Sequence, residues 1–347
     1  MAPSGGADAE GLSAEIVCDL ARLGFRVTVP ADPAWHRPLA ADWPKTVRVT
    51  TSPPWGRAGW AMWSAWHGLV GGSFDVCLLG DVGPGLAWGL RMMRRLGVFG
   101  RLALRARRVP TPGLCRLFVG GGTVVTAASR FVRDQFPDSL RAEVRVVSGV
   151  VTRAEADAVM PRAAGGDAER TPVRFGLFIE SDAGVSGARE AIAALRTLPP
   201  PIRALCKLVV FGGAGREGLT RAAAGEAAIA LRGPVKAADR PATLAGLDAL
   251  IVAHATAGLA PPVMILGMLT ELPVIVSSGL GLEEWVESGG GMSGQGSENL
   301  AAAAQALAQD ARMRAQMGAE ARRVALAGGV WDTRAFVEGM LGLVVPR

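Results

Sequence analysis

A chain of 347 residues, half of them hydrophobic and a fifth charged, has the length for two domains and the composition of a folded protein. Its four cysteines (Cys18, Cys77, Cys115, Cys206) lie far apart with no paired spacing, which excludes a disulfide framework or a cysteine zinc site and predicts reduced thiols in a cytoplasmic protein. Residues 1–150 hold 18 Lys+Arg against 11 Asp+Glu, a net of +7, and the rest hold 19 against 20, a net of −1. A polyanionic partner is therefore expected for the first half alone.

Met1 to Glu10 is small and polar, without the apolar run of a signal peptide. A Gly5-Gly6 turn comes almost at once, although an α/β domain normally opens with a strand. A mis-assigned start, or a sheet without its first central strand, is the expected reason. Ala14 to Leu23 has apolar residues at helical spacing and Gly24 as its stop. Strands are then predicted at Phe25–Val29, Phe74–Leu79, Thr123–Thr126 and Val144–Val147, with a short helix at Ser129–Phe136. Strands alternating with helices predict parallel pairing in an open α/β sheet.

Between Val151 and Pro172 the periodicity lapses, and residues 151–172 read as a linker. It separates a domain at 1–150 from one at 173–330. In the second domain, strands are predicted at Val173–Ile179, Lys207–Phe211, Ala249–Ala253 and Pro273–Ser277. Helices are predicted at Ala188–Thr197 and Val263–Thr270, with one Ala-rich surface helix at Asn299–Ala325. Residues 331–347 are expected to form a C-terminal helix packing back toward the first domain. The uncharged run Ala249–Thr270 is long enough to suggest a membrane span. His254, Gly258 and Pro261-Pro262 interrupt it, which favours a buried strand, a loop and a buried helix.

The order of these segments resembles the family-4 retaining glycosyltransferases of the GT-B fold over nearly the whole chain. GG-(x)13-LARLGFRVTV is similar to that family's glycine loop, first helix and second strand. FDVCLLGD, VVTAASRFVRDQF and VVSGVV resemble later landmarks of the first domain. RFGLFIESDAGVSGAREAIAAL, LVVFGGAGRE, LRGPV, LDALIVAHA, MLTELPVIVSS and LEEWVESGGG follow the order of the second. The resemblance implies two Rossmann-like α/β domains with parallel sheets facing across a cleft. It implies a nucleotide-sugar on the second domain, an acceptor on the first, and no metal or other cofactor. The donor contacts it implies are Gly6, Ser181, Ser186, Gly187, Gly212, Gly213, Val235, His254, Thr256, Gly258, Pro262 and Val263. In open α/β sheets ligands sit beyond the C-terminal strand ends, where glycine loops and helix N-termini aim N–H groups at a pyrophosphate.

The chain departs from the family at its charged positions. Ser181 and Ser186 stand where the family has an Arg and a Lys on the donor diphosphate, and Gly258 and Leu266 stand where it has two glutamates. Serines donate hydrogen bonds but bring no charge to the leaving diphosphate. Arg189, a turn further on, is a candidate replacement cation, and Glu271 is expected to face outward. No catalytic residue can be assigned. The loss leaves three readings: a divergent transferase, a catalytically silent accessory or sugar-nucleotide-binding protein, or an epimerase or hydrolase on the same fold.

The first half also carries RMMRRLGVFGRLALRARR, Arg91 to Arg108, with seven arginines and no acid, downstream of Trp55, Trp60, Trp63 and Trp66. Leu90, Met93, Gly97 and Leu104 interleave as a broken apolar stripe. Trp60, Trp63, Arg94, Arg95, Arg101 and Arg105 are the expected membrane or acceptor face, since Trp and Arg suit the headgroup layer of an anionic bilayer. The alternative is a solvated basic helix beside core tryptophans. No nucleic-acid-binding signature appears. The expectation is a cytoplasmic glycosyltransferase, peripheral on the inner face of the membrane, acting on a glycan or glycolipid.

Overall fold

A computed structural model of the chain describes residues 20–31, 47–51, 74–79, 99–106, 123–161, 172–179, 184–213, 215–255 and 258–341. The chain divides into two compact units: Met1–Ser148 with Asp332–Arg347, and Gly149–Trp331.

In the first unit, β1 (Val27–Ala31) pairs in parallel with β2 (Val47–Thr51). A separate parallel sheet runs in the order β3 (Phe74–Leu79), β4 (Phe99–Ala106), β5 (Thr123–Ala127), β6 (Arg145–Val146). Helix α1 (Arg130–Asp134) follows β5. Its Ser129 N-cap is buried and accepts the Val132 N–H at 3.2 Å, satisfying one first-turn donor. After α2 (Asp138–Arg141), Ala127, Val132, Phe136 and Val144 close a small core.

Two strands here were not expected, β2 and β4. The second bears on the alternative reading of the basic segment, a solvated basic helix, which does not hold over residues 99–106. Residues 99–106 are a strand paired on both sides, with Arg101 opposite Val76 and Arg105 opposite Thr126. Arginines four apart suit a helix stripe and a strand equally, and only pairing decides between them.

The second unit starts ahead of the expected boundary. Val150 and Val151 donate their N–H groups to the Gly329 carbonyl at 2.8 and 3.1 Å, and Val151 bridges Val330. Helix α3 (Arg153–Asp157) opens with a capping box between Thr152 and Glu155. The first third of the expected linker is thus built into this unit.

Its sheet contains β7 (Val173–Phe178), β8 (Cys206–Phe211), β9 (Ile229–Arg232), β10 (Ala249–Val252), β11 (Val274–Ser277) and β12 (Gly291–Gly294). All pair in parallel, in the order β12-β11-β10-β7-β8-β9. Numbered within the unit this is 3-2-1-4-5-6, the doubly wound Rossmann order. The central strands β10 and β11 are buried along their whole length, so they read as continuous apolar runs.

Side-chain alternation divides the core between the two sheet faces. On one face Val173, Phe175, Leu177, Leu208, Val210 and Ile251 pack with α4 (Gly184–Thr197) and α9 (Gly296–Gln309). On the other, Leu250, Val252, Val274 and Val276 pack with α8 (Pro262–Leu269) and α10 (Ala311–Gly328). The shorter α5 (Pro200–Ala204), α6 (Arg216–Ala223) and α7 (Arg240–Ala245) complete the crossovers.

The expected surface helix at Asn299–Ala325 is two helices. Asp310 leaves helical geometry (φ −122°, ψ 96°) and its carboxylate caps α10 at Met313 N, 2.8 Å. The buried Arg314 returns its guanidinium to the Leu307 and Ala308 carbonyls at the end of α9. Leu300, Ala301, Ala303, Ala304 and Leu307 make α9 a core helix, not a surface one. Helix α11 (Thr333–Leu341) belongs to the first unit, where Arg145 Nη1 donates to the Gly339 carbonyl at 3.0 Å.

Candidate functional site

Strand order reverses between β7 and β10, so the crevice at their C-terminal ends is where this topology holds a ligand. Because every strand is parallel, α4, α6 and α8 all begin at that edge. Glycines let the first turns of α4 and α6 approach closely. A Cβ on Gly187 would stand 2.7 Å from the Ala253 carbonyl oxygen, so α4 starts directly on the end of β10. Gly212, just past β8 at φ +151°, would meet Ile179 Cβ at 2.8 Å. Gly215, at φ +61°, caps α6 against Val185.

The remaining expected contacts distribute along this edge. Ser186 is exposed in the first turn of α4, and Gly213 and His254 are exposed just beyond β8 and β10. Val235 is half-buried past β9. Gly258, buried at φ +75°, donates its N–H to the Leu280 carbonyl at 2.7 Å, tying the loop after β10 to the loop after β11. Pro262 is the first residue of α8 and brings no N–H. Met264 N is already bonded to Pro261 O at 2.9 Å, so the Val263 N–H is the first-turn donor left to α8. Gly6, Ser181, Thr256, Trp60, Trp63, Arg94 and Arg95 lie outside the described residues.

Charge is sparse at the edge among the described residues. Leu266, at a position where the resembling enzymes carry a glutamate, is buried in the core around α8. Arg189 lies along α6, where a Cβ on Gly218 would meet its Nη2 at 2.6 Å. Glu271 ends α8 half-buried in left-handed geometry, φ +66°. Glu283 spends one oxygen on the Gly279 N–H at 2.6 Å. What the edge offers is mainly backbone N–H groups and helix N-termini, which suit an anion through hydrogen bonds rather than through ion pairing. Sequence reasoning missed Ser277 at the end of β11. Its Oγ is buried with no hydrogen-bond partner, a property of packing that leaves no sequence signal.

No protein-family model matches the chain, and no curated protein matches it. Solved structures do. HepE from Anabaena in complex with UDP aligns over 99% of this chain and 98% of its own, at 17% identity and a TM-score of 0.69. Sucrose-phosphate synthase from Thermosynechococcus elongatus aligns over 96% and 92%, at 15% identity and a TM-score of 0.68. A glycosyltransferase from Rickettsia africae aligns over 94% and 91%, at 14% identity and a TM-score of 0.66. The chain has the GT-B fold. Within a GT-B protein, the 3-2-1-4-5-6 sheet of the second unit is one Rossmann-like half, and the edge described above is the kind of edge at which open α/β sheets hold ligands.

Proposed function

We propose that this GT-B chain transfers a sugar from a nucleotide-sugar donor, held by the second unit, to a glycan or glycolipid acceptor with retention at the anomeric carbon. The observation that carries the reading is the glycine-sealed rim, where α4 starts on the end of β10 and α6 starts against α4 at the switch point of a doubly wound sheet. Such a rim binds a diphosphate through main-chain donors and needs no metal. The UDP in the Anabaena HepE complex is consistent with a nucleotide at this kind of fold. On the acceptor side the proposal keeps Trp60, Trp63, Arg94, Arg95, Arg101 and Arg105 as a face toward an anionic membrane surface. Among the described residues no helix is long and apolar enough to cross a membrane.

Calorimetric titration with UDP, GDP, ADP and dTDP and their sugar conjugates tests the donor reading. Saturable binding of one nucleotide is expected, and a folded protein that binds none of them refutes it. Gly258, Leu266 and Ser186 in place of charged groups favour a second reading, a nucleotide-sugar-binding accessory protein without turnover. Donor binding without transfer or donor hydrolysis would select it.

A further inference from the structure

The second unit carries another concavity, on the sheet face bearing α7. Strands β7 and β8 run for six residues each, about 20 Å, whereas the six residues of α7 make about 9 Å of helix. The uncovered remainder is a groove of about 480 Å3, within the size range of small-molecule pockets, roughly 300–1,000 Å3.

Strand register sets out its floor in rows. Arg174 pairs with Lys207, Gly176 with Val209, Val209 with Ala230, and Phe211 with Arg232. Two adjacent cations therefore stand at one end of the groove and a third at the other, four residues or about 13 Å away. Between them the floor is small and apolar, with Thr243 and Leu247 forming the wall. Among the described residues no carboxylate lines this groove, and the side chains of Arg174, Lys207 and Arg232 have no hydrogen-bond or ion-pair partner. Asp248 is buried and its Oδ2 accepts the main-chain N–H of Arg174 at 2.8 Å. Three unpaired cations around an apolar floor are complementary to a ligand with an anionic head and an apolar body.

We propose that this groove is a second ligand site, distinct from the nucleotide rim, for a small amphiphilic anion. Its phosphate or carboxylate is held by Arg174 and Lys207, and its ring or chain lies over Val209 and Ala230. The Arg232 end touches Gly233 and Val235, so the test must separate the groove from the rim.

The probe is 1-naphthyl phosphate, titrated calorimetrically into the full chain, with 1-naphthol and inorganic phosphate as its two halves. One-to-one saturable binding is expected, at least ten-fold tighter than either half. The double variant Arg174→Gln/Lys207→Gln should weaken it at least ten-fold. Val209→Trp, which fills the floor and keeps the charges, should abolish it. UDP titrated into the double variant should bind as it does to the unaltered chain, because these cations sit at the N-terminal strand ends, away from the rim. Failure of UDP to bind the unaltered chain would remove the donor reading and leave this site standing. Absence of naphthyl phosphate binding, or equal affinity in both variants, overturns the proposal. So does competition between UDP and the probe, which would make the groove part of the donor site.

Discussion

Gly187→Ala probes the contact on which the nucleotide rim depends. The added methyl would stand 2.7 Å from the Ala253 carbonyl oxygen and 2.8 Å from its carbonyl carbon and Cβ, so main chain has to move. Overpacking of this kind costs about 1–3 kcal/mol. Replacing glycine by alanine inside a helix returns about 1 kcal/mol. Three contacts under 3 Å, two of them to main-chain atoms, place the cost in the upper half of its range, for a net loss of about 1–2 kcal/mol. For a unit of this size that is a fall in Tm of about 2–8 °C, measured by differential scanning calorimetry. Nucleotide affinity should fall with it, since the displaced atoms are the start of α4 and the end of β10. Gly213→Ala is the control: it has nothing within 4 Å and ordinary φ, and should leave Tm unchanged or slightly raised. A Gly187→Ala protein as stable as the unaltered chain would refute the close packing of α4 on β10.

Other perturbations test how the second unit is held together. Arg314→Met removes the buried guanidinium that closes the end of α9 and should lower stability by about 1.5–3 kcal/mol in urea denaturation. Thr152→Ala breaks the capping box of α3 and should cost about 1 kcal/mol in the same assay. Burial pushes the Cys206 thiol from near 9 up to about 11. Its thiolate fraction at pH 8 is then roughly one in a thousand, and mass spectrometry should find Cys206 alkylated by iodoacetamide only after unfolding. Because the folded thiol holds its proton more tightly than the unfolded one, stability should decline as pH rises from 9 toward 11, by at most about 2–3 kcal/mol from this group. A flat profile across that window in a comparison with Cys206→Ala would contradict the burial.

Much of the second unit was legible because its physics is local. Strands β10 and β11 are apolar runs buried along their whole length, β7 and β8 are mostly apolar runs with one face in the core, and α4 and α8 follow them with helical periodicity. Strands β9 and β12 escaped because edge strands such as IALR and GMSG are short, mixed or glycine-rich and carry no alternation. Strand β4 escaped because Arg101 and Arg105 stand at a spacing that a helix also uses. The break at Asp310 escaped because no glycine or proline marks it; a carboxylate aimed at Met313 N does the work through geometry.

By itself, the sequence determined the α/β alternation, the two-part organisation and the glycines of the rim, since each rests on residues close together in the chain. Only tertiary structure decided the 3-2-1-4-5-6 order, which depends on pairing between strands up to 74 residues apart, as at Ala249 and Phe175. It also decided where the chemistry collects. Gly187 matters because of Ala253, and Arg174, Lys207 and Arg232 share a groove because strand register brings three distant cations onto one face. Residue types and spacing set what each segment can form, whereas hydrogen-bond register between segments sets which side chains meet.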